Sequence, residues 1–305
     1  QRNQDEEGSV KMLTGIIMSV ITCICWGSTS FLMRSIKRLN SIEMLFMRAL
    51  GGFIRAVVIV CFTGGVDFEQ LCVSEKVLIF VALVLIHNIL GDAFLFLSVH
   101  RMGVAKSASI SCSYPIPVAV VSYLFFDSPL TVEVIAGTLS VIFGVVLLCR
   151  KKEAETDFPI SGIIFALGAS FSWAAGLLIN AELVKLGLLP VTIDIGRGIT
   201  FLTISFFIWF FKEVFFEKRG VCACRGLLVR DSFIAVVTGV FSLGLGTFFY
   251  SEALEYISPS IATPLCAANP IISSLLAAFF YNEKLHAIQW IGVACIVAGS
   301  VVVTL

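Results

Sequence analysis

Charge is scarce in this chain. Of its 305 residues only 14% are Asp, Glu, Lys or Arg, while 58% are hydrophobic. A water-soluble globule could not hide so much apolar surface, so lipid must solvate most of it. Neither sign of charge predominates, with 21 basic and 21 acidic residues. That balance gives no electrostatic footprint for a nucleic-acid or acidic-protein partner. Histidine is rarer still, at three residues. No H-E-x-x-H, G-x-S-x-G, Walker or paired-acid pattern is present, which argues against an enzyme. A zinc set is missing too, because Cys222 and Cys224 form a C-x-C with no nearby His or second pair. No metal and no cofactor is therefore expected. Cys23, Cys25, Cys61, Cys112, Cys149, Cys266 and Cys295 fall inside apolar blocks, where they act as small hydrophobes and imply no disulfide. The first apolar block is long and lacks a small-residue cleavage site, so it reads as a retained helix rather than a signal peptide.

The sequence does contain apolar blocks of the roughly 20 residues that a helix needs to cross a bilayer. Ten can be marked: 13–34, 41–63, 77–98, 104–126, 130–149, 160–181, 191–211, 231–252, 260–281 and 286–305. Open strands at that depth would leave backbone groups unpaired, and no alternating ten-residue pattern suggests a barrel, so the blocks are helices. Connections are short except for 64–76 and 212–230.

The blocks repeat. At a constant offset of 155, Gly91 falls on Gly246, Phe94 on Phe249, Pro115 on Pro270, Ile116 on Ile271, Leu130 on Leu285, Gly137 on Gly292 and Gly144 on Gly299. Near the front of each half the offset is 147, which brings Gly15-Ile16-Ile17 onto Gly162-Ile163-Ile164 and Trp26 onto Trp173. A two-residue insertion then brings Arg48 onto Arg197. Gly, Pro, Trp and Arg have positional meaning in so apolar a chain, and their coincidence marks a duplication. Each half has five spans, an odd number, so the second half enters the membrane from the opposite side. The expected fold is an all-α integral membrane protein of ten transmembrane helices, two inverted five-helix repeats around a central cavity. Residues 1–12 read as a polar tail, 13–150 as the first repeat, 151–159 as a linker and 160–305 as the second repeat.

Trp26-Gly27-Ser28 late in the first span, an arginine in the second, Gly91 to Leu97 in the third and a proline-containing fourth span resemble the EamA-type members of the drug/metabolite transporter superfamily. So does the later run of Pro270, Glu283-Lys284-Leu285, Gln289 and Gly292. The similarity covers nearly the whole chain. The sequence departs from the pattern at Ser128, where the resemblance implies an acidic counterpart of Glu283; Asp127 stands one residue earlier. The resemblance implies a basket in which spans one to four and six to nine enclose the cavity and spans five and ten lie outside it. It also implies small metabolites as cargo, such as amino acids, related organic ions or drugs.

Charge inside hydrocarbon is costly, so intramembrane ionisable groups face a cavity or a partner. Arg48 and Arg55 are seven residues apart, on one face of the second span and two turns from each other. An arginine in a cavity can grip a carboxylate or phosphate bidentately. The alternatives are that Arg55 pairs with a carboxylate or snorkels and that Arg48 pairs with Glu43. Asp92 and His87 in the third span are candidates for proton coupling. A structural pairing of Asp92 with an arginine of the second span is equally open, and the repeat counterpart of Asp92 is Thr247. Asp194 and Arg197 have the spacing of an ion pair on one face of the seventh span. As the repeat mate of Arg48, Arg197 is also a binding candidate. Trp26 and Trp173, Tyr114 and Asn269, and Asn180 and Tyr250 complete the expected lining, with plain packing as the alternative for the aromatics. Pro115, Pro117, Pro264 and Pro270 are expected to bend spans four and nine and act as hinges. Gly51-Gly52, Gly137, Gly144, Gly292 and Gly299 are expected to let helices approach closely.

These readings converge on a secondary transporter of a small polar metabolite, an amino acid or related organic ion, working by alternating access with proton coupling or exchange. The alternatives are an uncoupled facilitator, a nucleotide-sugar or drug transporter and, more distantly, a membrane-embedded enzyme. Partners are the bilayer, the small-molecule substrate, and protons or a counter-substrate, with no nucleic acid, and the protein acts as a monomer or homodimer. The protein is a multi-pass integral membrane protein, of the cell membrane if prokaryotic. Most basic positions outside the spans, among them Arg34, Lys37, Arg38, Arg101, Lys106, Arg150 and those of the basic 212–230 connection, fall opposite the termini, against Arg2, Lys11, Lys76 and Lys185 on the side of the termini. The positive-inside rule then sets both termini outside the cytoplasm, whereas the resemblance implies cytoplasmic termini.

Overall fold

The computed structural model describes residues 2–63, 65–149, 159–216, 230–281 and 285–305. Cys222, Cys224, Glu283, Lys284 and most of the 151–159 linker lie outside them. Among the described residues no strand occurs. Eight helices are long and apolar enough to cross a membrane: Gly8–Met33, Ser41–Thr63, Ser74–Met102, Lys106–Phe125, Ile160–Lys185, Pro190–Phe215, Arg230–Ala253 and Pro259–Tyr281. Two shorter apolar helices, Val132–Leu148 and Ala287–Val302, supply the fifth and tenth spans. At 17 and 16 residues these two reach about 25 Å, slightly less than a bilayer core of about 30 Å. The helix of the first span starts at Arg2, so it takes in the segment expected as a polar tail.

Polar residues at the span ends satisfy the otherwise orphaned amides. Asn40 Oδ1 accepts the Ile42 and Glu43 N–H groups at 3.0 Å each, while Glu43 Oε2 accepts the Asn40 N–H at 2.9 Å. Glu43 is thus engaged at the start of the second span rather than with Arg48. Thr131 caps the fifth span through Val134 N–H. His286 N–H donates to Gln289 Oε1 at 2.9 Å at the start of the tenth. Pro190 and Pro259 open their helices, where the missing amide costs nothing.

Repeat-related contacts hold the halves together. The fifth and tenth spans are mates and pack on each other through their glycines. A Cβ at Gly144 would stand 2.6 Å from the Gly292 carbonyl oxygen, and one at Gly292 would stand 2.7 Å from that of Gly144. Gly137 and Gly299 repeat the arrangement at 2.7 and 2.6 Å. Only glycine allows backbones so close. Ser140 Oγ donates to the carbonyl of Cys295, its own repeat mate, at 2.9 Å. The first and third spans pack on the eighth and sixth through a reciprocal pair: a Cβ at Gly91 would lie 2.7 Å from the Trp173 ring, and one at Gly246 would lie 2.5 Å from the Trp26 ring.

Irregular backbone is also matched. In the third span Val84–Leu90 is π-helical, and in the eighth span so is Val240–Gly246; each leads into the α-helix that starts at or just after the matched glycine. Spans four and nine are each split. Val104–Ser111 and Pro115–Phe125 are separated by a turn, as are Pro259–Ala267 and Asn269–Tyr281. Pro115 opens the second piece of the fourth span, and Pro117 lies in that piece's first turn. Pro270 lies just past the corresponding break, whereas Pro264 sits inside the helix before it.

Candidate functional site

The second, third and seventh spans bring together most of the chain's intramembrane charge. Arg48 Nη1 stands 3.3 Å from Asp92 Oδ2, and Arg55 Nη2 stands 2.5 Å from Asp194 Oδ1. Arg197 Nη2 donates to Asn88 Oδ1 at 3.2 Å. The expected pairing of Asp194 with Arg197 along one helix gives way to a contact between helices: Asp194 meets Arg55, and Arg197 turns to the third span. All three arginines are buried, as are Asn88 and Asp194. Asp92 keeps 20% of its side chain accessible, making it the more open carboxylate of the two. The Trp173 side chain adds a hydrogen bond to Asp92.

The π-helical turns aim these groups. Asn88 lies inside the first of them and Asp92 just beyond it, so the extra residue in the turn rotates both relative to a regular helix. His87 sits in the same turn against Gly176 of the sixth span, where any side chain would strike its ring. In the second turn Gly244 makes room for Arg55, whose Nε would lie 2.7 Å from a Cβ there. The Arg55 guanidinium also lies 5.4 Å from the Phe248 ring centre. Several donor atoms nevertheless lack a protein hydrogen-bond partner: Arg48 Nε, Arg55 Nε and Nη1, and His87 Nδ1.

Three guanidinium groups therefore share two carboxylates, leaving one positive charge in excess within the bundle. The duplication does not explain this set. Arg48 and Arg197 are repeat mates, but Asp92 corresponds to Thr247 across the repeat, and the Thr247 hydroxyl turns back along its own helix to donate to the Leu243 carbonyl at 2.6 Å. Charge has been placed on a symmetric scaffold asymmetrically.

The remaining expected residues form a second group. Tyr114 and Tyr250 belong to a buried apolar cluster against which Trp26 and Trp173 pack. Trp173 meets Tyr114 edge to face at 6.2 Å, and Trp26 lies 5.9 Å from Tyr250. Trp26 Nε1 donates to the Ser242 carbonyl in the second π-helical turn at 3.2 Å. Tyr250 and Thr263 share a hydrogen bond of 3.1 Å, and Asn180 Nδ2 donates to Ser251 at 2.9 Å. Asn269 Nδ2 donates to the Cys266 carbonyl at 3.0 Å, next to the break in the ninth span. Trp173 joins the two groups, touching Asp92 on one side and Tyr114 on the other. Asn88 is the residue that sequence reading missed. Its only signal was its position beside His87, and nothing in the pattern announced a π-helical turn.

Two recesses flank the bundle. One, of about 550 Å³, lies on the side of the termini and is lined by Lys185, Leu188, Leu189, Glu255, Tyr256 and Ser258 among others. The other, of about 820 Å³, lies on the opposite side. Neither lining includes an arginine of the buried set.

Ten apolar helices with matched breaks, closing over a buried cluster of arginines, define a polytopic membrane carrier. Residues 13–150 and again 160–305 match the EamA-like transporter family, and the chain belongs to that family. Transport of a small-molecule substrate across a lipid bilayer, rather than catalysis, is thus its class of activity. An uncharacterized transporter of Archaeoglobus fulgidus is 23% identical over 273 residues, spanning 88% of this chain and 90% of that one. The uncharacterized transporter YwfM of Bacillus subtilis is 24% identical over 157 residues, 52% of this chain and 50% of its own. A shorter match, 30% identical over 76 residues, is to a probable 4-amino-4-deoxy-L-arabinose-phosphoundecaprenol flippase subunit, ArnE, of Proteus mirabilis; it covers 25% of this chain and 67% of that protein. A protein of known crystal structure superposes with a TM-score of 0.79 over 95% of this chain and 98% of its own, at 17% identity, which shows the shared fold.

Proposed function

We propose that the chain is a secondary transporter that moves a small metabolite bearing an anionic group, carboxylate or phosphate, by alternating access. One observation supports this above the others: three buried arginines face two carboxylates, with guanidinium donors of Arg48 and Arg55 left unpaired. An uncompensated cation in hydrocarbon costs several kcal/mol in the absence of a counter-charge, on the order of the 3 kcal/mol found for a single arginine at mid-membrane. A bound anion would supply that counter-charge and fill the donors bidentately. The ArnE relative is named for a phosphate-bearing, lipid-linked sugar, which shares the phosphate with this cargo class.

In this reading Arg48 and Arg197, contributed by the two halves, grip the anion from opposite sides. Trp173 and Tyr114 pack along its apolar part. Asp92 gives the coupling. The incoming anion displaces it from Arg48, and Asp92 takes up a proton to stay neutral in the closed bundle, so one proton accompanies one anion. The split fourth and ninth spans and the π-helical turns of the third and eighth serve as flexible points between two near-equivalent inverted halves.

A thermal-unfolding screen of the purified protein against amino acids, di- and tricarboxylates, sugar phosphates and nucleotide sugars tests the cargo class. Stabilisation is expected from anions only and lost in Arg197→Gln. Stabilisation by cationic or neutral compounds, undiminished in Arg48→Ala and Arg197→Gln, would reject the reading.

A further inference from the structure

The recess opposite the termini has a chemistry that the buried arginines do not explain. It measures about 820 Å³ and is lined by Arg34, Ser35, Lys37, Arg38, Arg230, Asp231 and Tyr281. Among the described residues of the lining, four are cationic and one is a carboxylate. That carboxylate is committed elsewhere, since Asp231 Oδ2 accepts the backbone N–H groups of Lys37 and Arg38 at 2.8 and 2.7 Å. It thereby fixes the connection between the first two spans onto the start of the eighth, with the side chains of Lys37 and Arg38 left exposed. The opposite wall is equally ordered. Ser35 Oγ and Tyr281 Oη lie 3.1 Å apart, and the Arg34 guanidinium stands 4.9 Å from the Tyr281 ring centre.

The location narrows the ligand. The lining comes from the end of the first span and the connection after it, the start of the eighth span and the end of the ninth, all on the side opposite the termini. Immediately before Tyr281 in the same helix, Phe279 and Phe280 are 79% and 61% exposed, an apolar surface beside the recess. Phe31 packs against Phe280 at 5.4 Å, so the apolar surface continues along the first span. An anionic group above an apolar wall is the shape of a phospholipid. This is also the basic side of the protein, which the positive-inside rule assigns to the cytoplasm, where the leaflet holds anionic lipid.

We infer that this recess binds the phosphate of an anionic phospholipid, with Arg34, Lys37, Arg38 and Arg230 around the headgroup and an acyl chain along Phe279 and Phe280. The site lies outside the transport pathway and does not depend on the cargo reading. A bound lipid would bridge the first, eighth and ninth spans on that side, adding to the protein-protein contact that Asp231 already makes.

Native mass spectrometry of the full chain, exchanged from detergent into mixtures of phosphatidylglycerol and phosphatidylcholine, reads the site directly. The unaltered protein is expected to retain phosphatidylglycerol in preference to phosphatidylcholine. The double variant Lys37→Gln/Arg38→Gln keeps the backbone amides that Asp231 binds, so it should fold. Its preference should fall on the order of tenfold or more for the two charges lost. The quadruple variant that also carries Arg34→Gln and Arg230→Gln should lose it entirely. Arg101→Gln/Lys106→Gln, with equal charge removed from the same side, should retain it. Equal retention of the two lipids by the unaltered protein, or an unchanged preference in the quadruple variant, would overturn the assignment. Full displacement of the lipid by millimolar inorganic phosphate would overturn it too, by making the recess a site for the free ion.

Discussion

The buried charges share their partners unequally, and that inequality decides how single substitutions act. Arg197 hydrogen-bonds the neutral Asn88 and feels Asp194 and Asp92 only at longer range, whereas Arg55 holds a carboxylate at 2.5 Å. Arg197→Gln is therefore expected to preserve the fold and reduce substrate flux by tenfold or more, measured as uptake into reconstituted vesicles. Asn88→Ala strips a buried cation of its acceptor and should lower stability by about 1–3 kcal/mol, read as a lower unfolding temperature in detergent. Asp92→Asn separates coupling from movement. Downhill flux should persist while the response to an imposed pH gradient disappears, and a gradient response equal to that of the unaltered protein would remove Asp92 from the coupling role. The arginines and Asp92 were legible from sequence because ionisable residues inside apolar blocks stand out. Their pairing was not. The Asp194 and Arg197 spacing suggested a contact along one helix, but whether a side chain turns along its own helix or across to another depends on tertiary placement.

Among helices, the glycines matched across the repeat are the most constrained. The rings of Trp173 and Trp26 occupy the space beside Gly91 and Gly246, and because each indole is held in place neither glycine site can accept a branched side chain. Gly91→Val and Gly246→Val should each cost about 1–3 kcal/mol through overpacking and lower the yield of folded protein, as size-exclusion chromatography would report. The repeat spacing of these glycines and tryptophans was readable, as were the prolines beside the split spans. The π-helical turns left no trace in composition, because one extra residue in a turn changes neither hydropathy nor length enough to register. Pro264 shows the converse. It lies inside a helix with the break beyond it, since neighbouring spans can accommodate a proline that would end a helix in water.

For the molecule as a whole, ten crossings put both ends on one side and the connection 212–230 on the other. Reporter fusions at Leu305 and within 212–230 should accordingly give opposite signals, with the basic connection cytoplasmic; matching signals would contradict the span count. Class and span number were accessible from block length alone, and the inversion from counting five blocks per half. The uneven charge was legible only in part: the sequence set Asp92 opposite Thr247 across the repeat, but not the gathering of Arg55, Asp194 and Arg197 beside it. On the proposed reading, that unevenness separates two tasks within one chain. The mirrored glycines and breaks would serve movement, while recognition would rest on the unmatched charges together with Trp173 and Tyr114. If recognition is so divided, a descendant of this protein could exchange its cargo by altering those few positions and leave the machinery of movement untouched, and a shared architecture among such carriers would then be a poor guide to shared diet.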